Sequence, residues 1–231
     1  MCEYIKKVYI NGKGYGFITS KDIPKYMIIL IDESIISCEL TKDADINLTI
    51  IYLIMNLPDK EKIKQFEMLR PHSNDNNFIG INIKNDIKKC RNTKIKSFLQ
   101  RQNTDTIKLY LEKYKRNAFN LNNLYDINGI IIPGILLNGA IFNHSCDPNI
   151  SFTYSNSKMY FFTNRDIKKG EELCDSYIDI SMSCTDRQLA LDKRYGFICN
   201  CDVCIKRCTI SISRIAELKA NKNIDIKKLI N

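Results

Sequence analysis

The residues best suited to chemistry lie in two short runs. In FICNCDVC, Phe197 to Cys204, three cysteines are spaced C-x-C-x-x-C: Cys199, Cys201 and Cys204. Thiolates this close wrap one side of a tetrahedral zinc ion, at about 2.3 Å to each sulfur. Three ligands leave a fourth open, and both Cys208 and a cysteine brought in from a distant segment suit it. A redox dithiol is the weaker reading, because Cys201 and Cys204 follow a helical pattern and no C-x-x-C opens a helix after a strand. The cysteines at positions 2, 38, 90, 174 and 184 stand singly and read as ordinary packed or partly exposed thiols.

The second run is GAIFNHSCDPNISF, residues 139–152. It holds one of only two histidines in the chain, together with Asn143, Cys146 and Asn149. A buried imidazole or amide loses stability unless it is hydrogen-bonded, so this run must meet specific partners elsewhere in the fold.

The elements that position these runs are legible as changes of period. YIKKVYI, YGFITS and YMIILID read as strands broken by the turn NGKG and by Pro24. From Thr41 to about Arg116 the pattern is helical: DADINLTIIYLIMNL ends at Pro58, DKEKIKQFEML follows with Asp59 as N-cap, and TDTIKLYLEKYKR sets Ile107, Tyr110, Leu111 and Tyr114 on one face. Strands return at GIIIPGIL, ISFTYS and KMYFFTN, the last two joined by a tight turn at Asn156 and Ser157. TDRQLALDKRY forms a helix ahead of the cysteines, and a small helical extension follows from Ile205.

Composition narrows the class. With 231 residues and 44% hydrophobic content the chain can bury a sizeable core, which excludes a disordered polymer. The most apolar stretch, Ile46 to Leu57, is too short and polar for a membrane span, and the charged N-terminus does not read as a signal peptide. An intracellular protein of the nucleus or cytoplasm, without a membrane partner, is the expectation. In that setting clustered cysteines hold metal more often than disulfides. The net charge of +9 is spread along the chain, as on a solvated surface.

Four motifs in order, GKGYGF, NHSCDPN, GEELCDSYID and YGFICNCDVC, resemble those of SET-domain protein lysine methyltransferases, and the SMYD branch with its post-SET cysteines above all. That branch inserts a zinc-binding MYND module, which is lacking here because residues 41–116 hold one cysteine and one histidine. The resemblance implies an α+β, mostly β fold: small curved sheets, a knot-like C-terminal segment, a helical insertion and a zinc-binding post-SET tail. It implies a SET domain over residues 1–198, with the insertion at about 41–116, and a post-SET segment with a helical tail over 199–231.

The same resemblance implies the ligands. S-adenosylmethionine would be held by Lys13, Gly14, Tyr15, Asn117, Asn143, His144, Tyr177 and Phe197, and zinc by Cys146 with Cys199, Cys201 and Cys204. Lys13 stands where an arginine is frequent in the family, so its contact with the cofactor carboxylate would be a point charge without a bidentate fork. Tyr177 is implied as the catalytic tyrosine, and Phe119, Tyr177 and Tyr195 as walls of the substrate channel. Asp147 and Asn149 read as turn formers. The partner would be a protein lysine, on a histone tail or another protein, with possible association with chromatin. A basic tail would need an acidic groove, for which Glu171, Glu172 and Asp175 are the candidates. The competing reading is a non-catalytic, zinc-stabilised module that binds chromatin or nucleic acid through its basic surface.

Overall fold

A computed structural model of the chain describes residues 2–36, 45–72, 82–121 and 132–207. Strand β1 (Ile5–Ile10) pairs antiparallel with β2 (Gly14–Thr19), from Ile5 opposite Thr19 to Ile10 opposite Gly14. After β3 (Ile28–Asp32) come, among the described residues, five helices: α1 (Ile46–Met55), α2 (Lys60–Glu67), α3 (Ile83–Lys89), α4 (Thr93–Leu99) and α5 (Thr104–Asn117). The chain then returns to strands β4 (Ala118–Asn120), β5 (Pro133–Ile135), β6 (Asn143–His144), β7 (Ile150–Ser155), β8 (Lys158–Thr163) and β9 (Glu172–Asp175). Helix α6 (Cys184–Tyr195) and the short α7 (Asp202–Arg207) follow.

Among the described residues these strands form three small sheets, with orders β1-β2-β9-β6, β3-β8-β7 and β4-β5. Their inward faces follow a period of two. On β8, Met159, Phe161 and Thr163 are buried while the residues between them are less so. Asn156 and Ser157 join β7 to β8 with φ of 48° and 62°, the doubly left-handed turn that suits the twist of a tight hairpin. Phe17, Phe142 and Phe161 interlock behind the sheets, with adjacent ring centroids 5.0 Å apart.

The helices pack around a core of their own. The predicted face of α5 is buried at Ile107, Tyr110, Leu111 and Tyr114, against Leu48, Ile51, Phe66 and Leu99 among others. Burial of each such side chain stabilises by about 1.5–3 kcal/mol. Asp59 caps α2 as expected, accepting from the backbone N–H groups of Glu61 and Lys62.

At the level of elements the structure corrects the sequence reading in two places. Helices α3 and α4 had not been read as separate elements; both are seven residues long, and the local signals are the caps Asn82 and Asn92, which accept from Asn85 N and Ile95 N. The expected strand predominance is also wrong, since helical residues outnumber strand residues among those described. The insertion between β3 and β4 is the reason. Of the helical extension expected from Ile205, the part beyond Arg207 lies outside the described residues.

Candidate active site and metal centre

The site is built where β6 and β9 run parallel, with Asn143 opposite Cys174 and His144 opposite Asp175. Two such short strands cannot hold each other by ladder bonds alone, and Asn149 supplies the cross-link. Its Nδ2 donates to Glu172 O at 2.8 Å and its Oδ1 accepts from Cys174 N at 2.8 Å. Asn149 is 4% exposed, so it is a buried clamp, and the turn-forming role expected of it is corrected. A side chain that satisfies both a backbone donor and a backbone acceptor is favourable in a dry setting, where either group left alone would be costly.

His144 has both ring nitrogens engaged. Nδ1 accepts from Tyr177 N at 3.0 Å, so that nitrogen carries no proton, and Nε2 faces Cys146 Sγ at 3.3 Å. One imidazole thereby ties the tyrosine segment to the cysteine cluster. The Tyr177 ring packs 5.3 Å from His144 and 4.9 Å from Tyr195, and Phe197 closes the group 6.0 Å from His144. Tyr177 Oη donates to Phe142 O at 2.6 Å. Burial, reinforced by the neighbouring Asp175 and Tyr195, holds the Tyr177 phenol well above its ordinary range. At neutral pH it is therefore a hydrogen-bond donor and not a base.

Burial also raises Tyr195, whose hydroxyl donates to Tyr177 O at 3.2 Å. The same cause pushes Asp175 up to about 8 and the Cys174 thiol to about 12, so both are neutral in the folded site. Asp175 Oδ1 is buried with no hydrogen-bond partner among the described residues.

Beside them lies a cleft of about 1050 Å³, open to solvent between the β1–β2 hairpin, the insertion and the cysteine tail. Lys13, Gly14, Tyr15, Asn117, Asn143, His144, Tyr177, Tyr195 and Phe197 all line it. Asn143 Nδ2 donates to Glu172 Oε1 at 3.0 Å, and a Cβ at Gly16 would fall 2.4 Å from that nitrogen, which explains the glycine there. Lys13 Nζ lies 2.5 Å from Glu172 Oε2. Burial works against the Lys13 charge, but the hydrogen bond and charge of Glu172 outweigh it and raise its pKa. Asn117 Nδ2 is committed to the carbonyls of Arg70 and Lys113, each at 2.7 Å.

Phe119 is not brought to the tyrosine group. It packs instead against the sheet core, 5.5 Å from Phe152 and 5.9 Å from Phe161. Nor do the three candidate acids form a groove: Glu171 pairs with Arg165 at 2.7 Å, Glu172 with Lys13, and Asp175 is buried.

The cysteines converge. The Sγ atoms of Cys146, Cys199, Cys201 and Cys204 lie within 4.8 Å of one another, with Cys146 and Cys204 at 3.5 Å. A tetrahedron with metal–sulfur bonds of about 2.3 Å has edges of about 3.8 Å, so the four donors fit a zinc ion. A hydrogen bond to Cys146, then burial, raises Cys199, and burial raises Cys204 to about 11; a cation is what would let four thiolates coexist here. Cys208, the other candidate for the fourth ligand, lies outside the described residues.

Sequence reasoning missed the groups that hold this cluster. Gln188 Nε2 donates to Cys199 O at 2.7 Å while its Oε1 accepts from Cys199 N at 2.8 Å, and the Arg187 guanidinium lies beside Cys146 and Cys204. Both come from α6 and carry no motif; only the helix face turned to the cysteine cluster identifies them.

Comparison with known proteins agrees with this geometry. A sequence model of the SET domain matches residues 14–178. A putative SET domain-containing protein of Acanthamoeba polyphaga mimivirus is 35% identical over 225 residues, covering 94% of this chain and 84% of that protein. Histone-lysine N-methyltransferase set5 of Schizosaccharomyces pombe is 34% identical over 102 residues, 43% of this chain and 30% of that enzyme, so the chain matches under a third of its length. The crystal structure of the SET domain of LSMT bound to lysine and AdoHcy superposes with a TM-score of 0.58 at 15% identity, over 87% of this chain and 53% of that one. At that identity the likeness establishes the shared fold. No helix among the described residues is long and apolar enough to cross a membrane.

Proposed function

This chain belongs to the SET-domain family, and on that premise we propose that it is an S-adenosylmethionine-dependent protein lysine N-methyltransferase. The observation that carries the reading is the enclosed Tyr177 hydroxyl, fixed 2.6 Å from Phe142 O and bordering the same cleft as Gly14 and Asn143. S-adenosylmethionine supplies the methyl group and, as a sulfonium, its own leaving group. LSMT was solved with lysine and AdoHcy, and set5 is named a histone-lysine N-methyltransferase, which supports the same ligand pair for this chain.

The chain's own residues do the rest. Gly14, Asn143 and Phe197 border the cofactor cleft, and Tyr177 and Tyr195 form an aromatic wall that excludes water around the substrate amine. A lysine with a reference pKa of about 10.4 must lose a proton before it can attack, and an apolar channel favours the neutral amine. The Tyr177 hydroxyl, protonated and with its one hydrogen fixed on Phe142 O, orients the substrate amine by presenting its oxygen as an acceptor. Phe119 we assign to the outer wall of the channel. Cys146, Cys199, Cys201 and Cys204 would hold zinc in a structural role, tying the tail from Cys199 onward to the β6 segment. We place the SET body in residues 1–198 and the post-SET segment in 199–231.

The substrate is a histone tail or another protein, and the workplace the nucleus or cytoplasm. The test is incubation of purified protein with labelled S-adenosylmethionine and histones or a cell lysate, followed by mass spectrometry of methylated lysines. Transfer to lysine is the expected result. Absence of transfer to any protein, with cofactor bound, returns the chain to the non-catalytic binding-module reading.

A further inference from the structure

Cations crowd the rim of the cleft, and most are already engaged. Lys13 is 2.5 Å from Glu172, Arg165 is 2.7 Å from Glu171, and Arg116 is 3.7 Å from Glu112. Lys7 lies over the Tyr15 ring, 4.8 Å from its centroid. Arg70 is different. It lines the cleft, it is exposed, and its guanidinium makes no ion pair or hydrogen bond with any described residue.

Its placement is nevertheless built. The Arg70 carbonyl accepts from Asn117 Nδ2 at 2.7 Å, and the buried Lys113 donates to the carbonyls of Glu67 and Leu69 just before it. Helix α5 thus grips the backbone that leaves α2 and leaves the Arg70 side chain to the cleft. That side chain lies over Gly14, whose φ is +88°. A Cβ there would sit 3.1 Å from Arg70 Nε and 3.5 Å from Nη2. A methyl at this position would both strain the backbone and press on the guanidinium.

Resting on the reading of the cleft as a cofactor site, we infer that Arg70 receives the carboxylate of the methionine end of S-adenosylmethionine, the role that the sequence pattern gives to Lys13. An unpaired guanidinium matches a carboxylate with two parallel N–H···O bonds, and a lysine ammonium already held by an acid does not. Lys13 would have to leave Glu172 to compete. Glu172 would then lose the cation that faces it and keep only Asn143. The helical insertion therefore contributes directly to cofactor recognition, through a residue outside every motif.

The experiment is titration calorimetry of wild type, Arg70→Ala, Arg70→Lys and Lys13→Ala with S-adenosylmethionine and with decarboxylated S-adenosylmethionine, which keeps the sulfonium and the amine. Wild type is expected to prefer the carboxylate form. Arg70→Ala should lose about 10- to 100-fold in affinity for that form and little for the decarboxylated one, the range for a charge-assisted hydrogen bond. Arg70→Lys should fall between, and Lys13→Ala should keep the preference. Preference retained in Arg70→Ala, or abolished in Lys13→Ala, overturns the assignment. Wild type that binds neither form rejects the cofactor reading itself and the assignment with it. Thermal unfolding of each variant checks the fold, and Arg70→Gln, which keeps the bulk of the side chain, replaces an alanine variant that melts early.

Discussion

The Tyr177 hydroxyl points back across the parallel β6–β9 pair to the carbonyl of Phe142, 35 residues earlier, and meets it at 2.6 Å. This bond joins the β6 and β9 segments at the place to which the proposed function brings the substrate amine. Tyr177→Phe keeps the ring and its contacts with His144 and Tyr195 and removes only the donor. Turnover is expected to fall by about 10- to 100-fold with cofactor affinity nearly unchanged, as for an interaction made mainly in the transition state. Single-turnover rates beside calorimetry check it, and a wild-type rate removes Tyr177 from the chemistry.

The cysteine geometry predicts one zinc ion per chain. Elemental analysis should find it in wild type and in Cys208→Ser, and find it depleted in Cys146→Ser. Zinc kept by Cys146→Ser and lost by Cys208→Ser reassigns the fourth ligand.

Asp175 predicts a pH dependence of stability. Burial raises its folded pKa to about 8 from the ordinary carboxyl value of 3.8, so the fold favours the protonated form. The stability this contributes is complete below the unfolded pKa and is lost as pH rises through the folded one. Between those values the loss is up to roughly 1.4 kcal/mol per pH unit. Denaturant titrations should show Asp175→Asn with a flatter profile from pH 4 to 8 and greater stability than wild type at pH 8. Parallel profiles for the two proteins contradict it.

Gly16→Ala tests close packing beneath the cleft. The new methyl meets Asn143 Nδ2 at 2.4 Å and Ile10 Cδ1 at 2.7 Å, so both must shift. A loss of about 1–3 kcal/mol in stability is expected for overpacking of this kind, together with weaker cofactor binding because Asn143 moves. Calorimetry and thermal melts measure the two effects, and an unaltered variant means the neighbours yield freely.

Much of this protein was determined by sequence alone. Local spacing carries short-range information, so the C-x-C-x-x-C run, the apolar face of α5, the Asp59 cap and the Asn156–Ser157 turn are all legible without coordinates, because each depends on residues a few positions apart. The motif order carried the family. Tertiary structure alone decided which distant groups meet. Spacing left the fourth ligand open and only the resemblance implied Cys146, which the fold brings to a cluster more than fifty residues away; the fold also made Asn149 a clamp on β9 where the Asp-Pro-Asn run suggested a turn. It split the acids into paired Glu171 and Glu172 and a buried Asp175. It set Phe119 against the sheet core and laid Arg70 of the insertion over Gly14. The physical reason is the same in each case. Ionisation and hydrogen bonding depend on burial and on the nearest partner, and for these residues the nearest partner comes from a remote part of the chain.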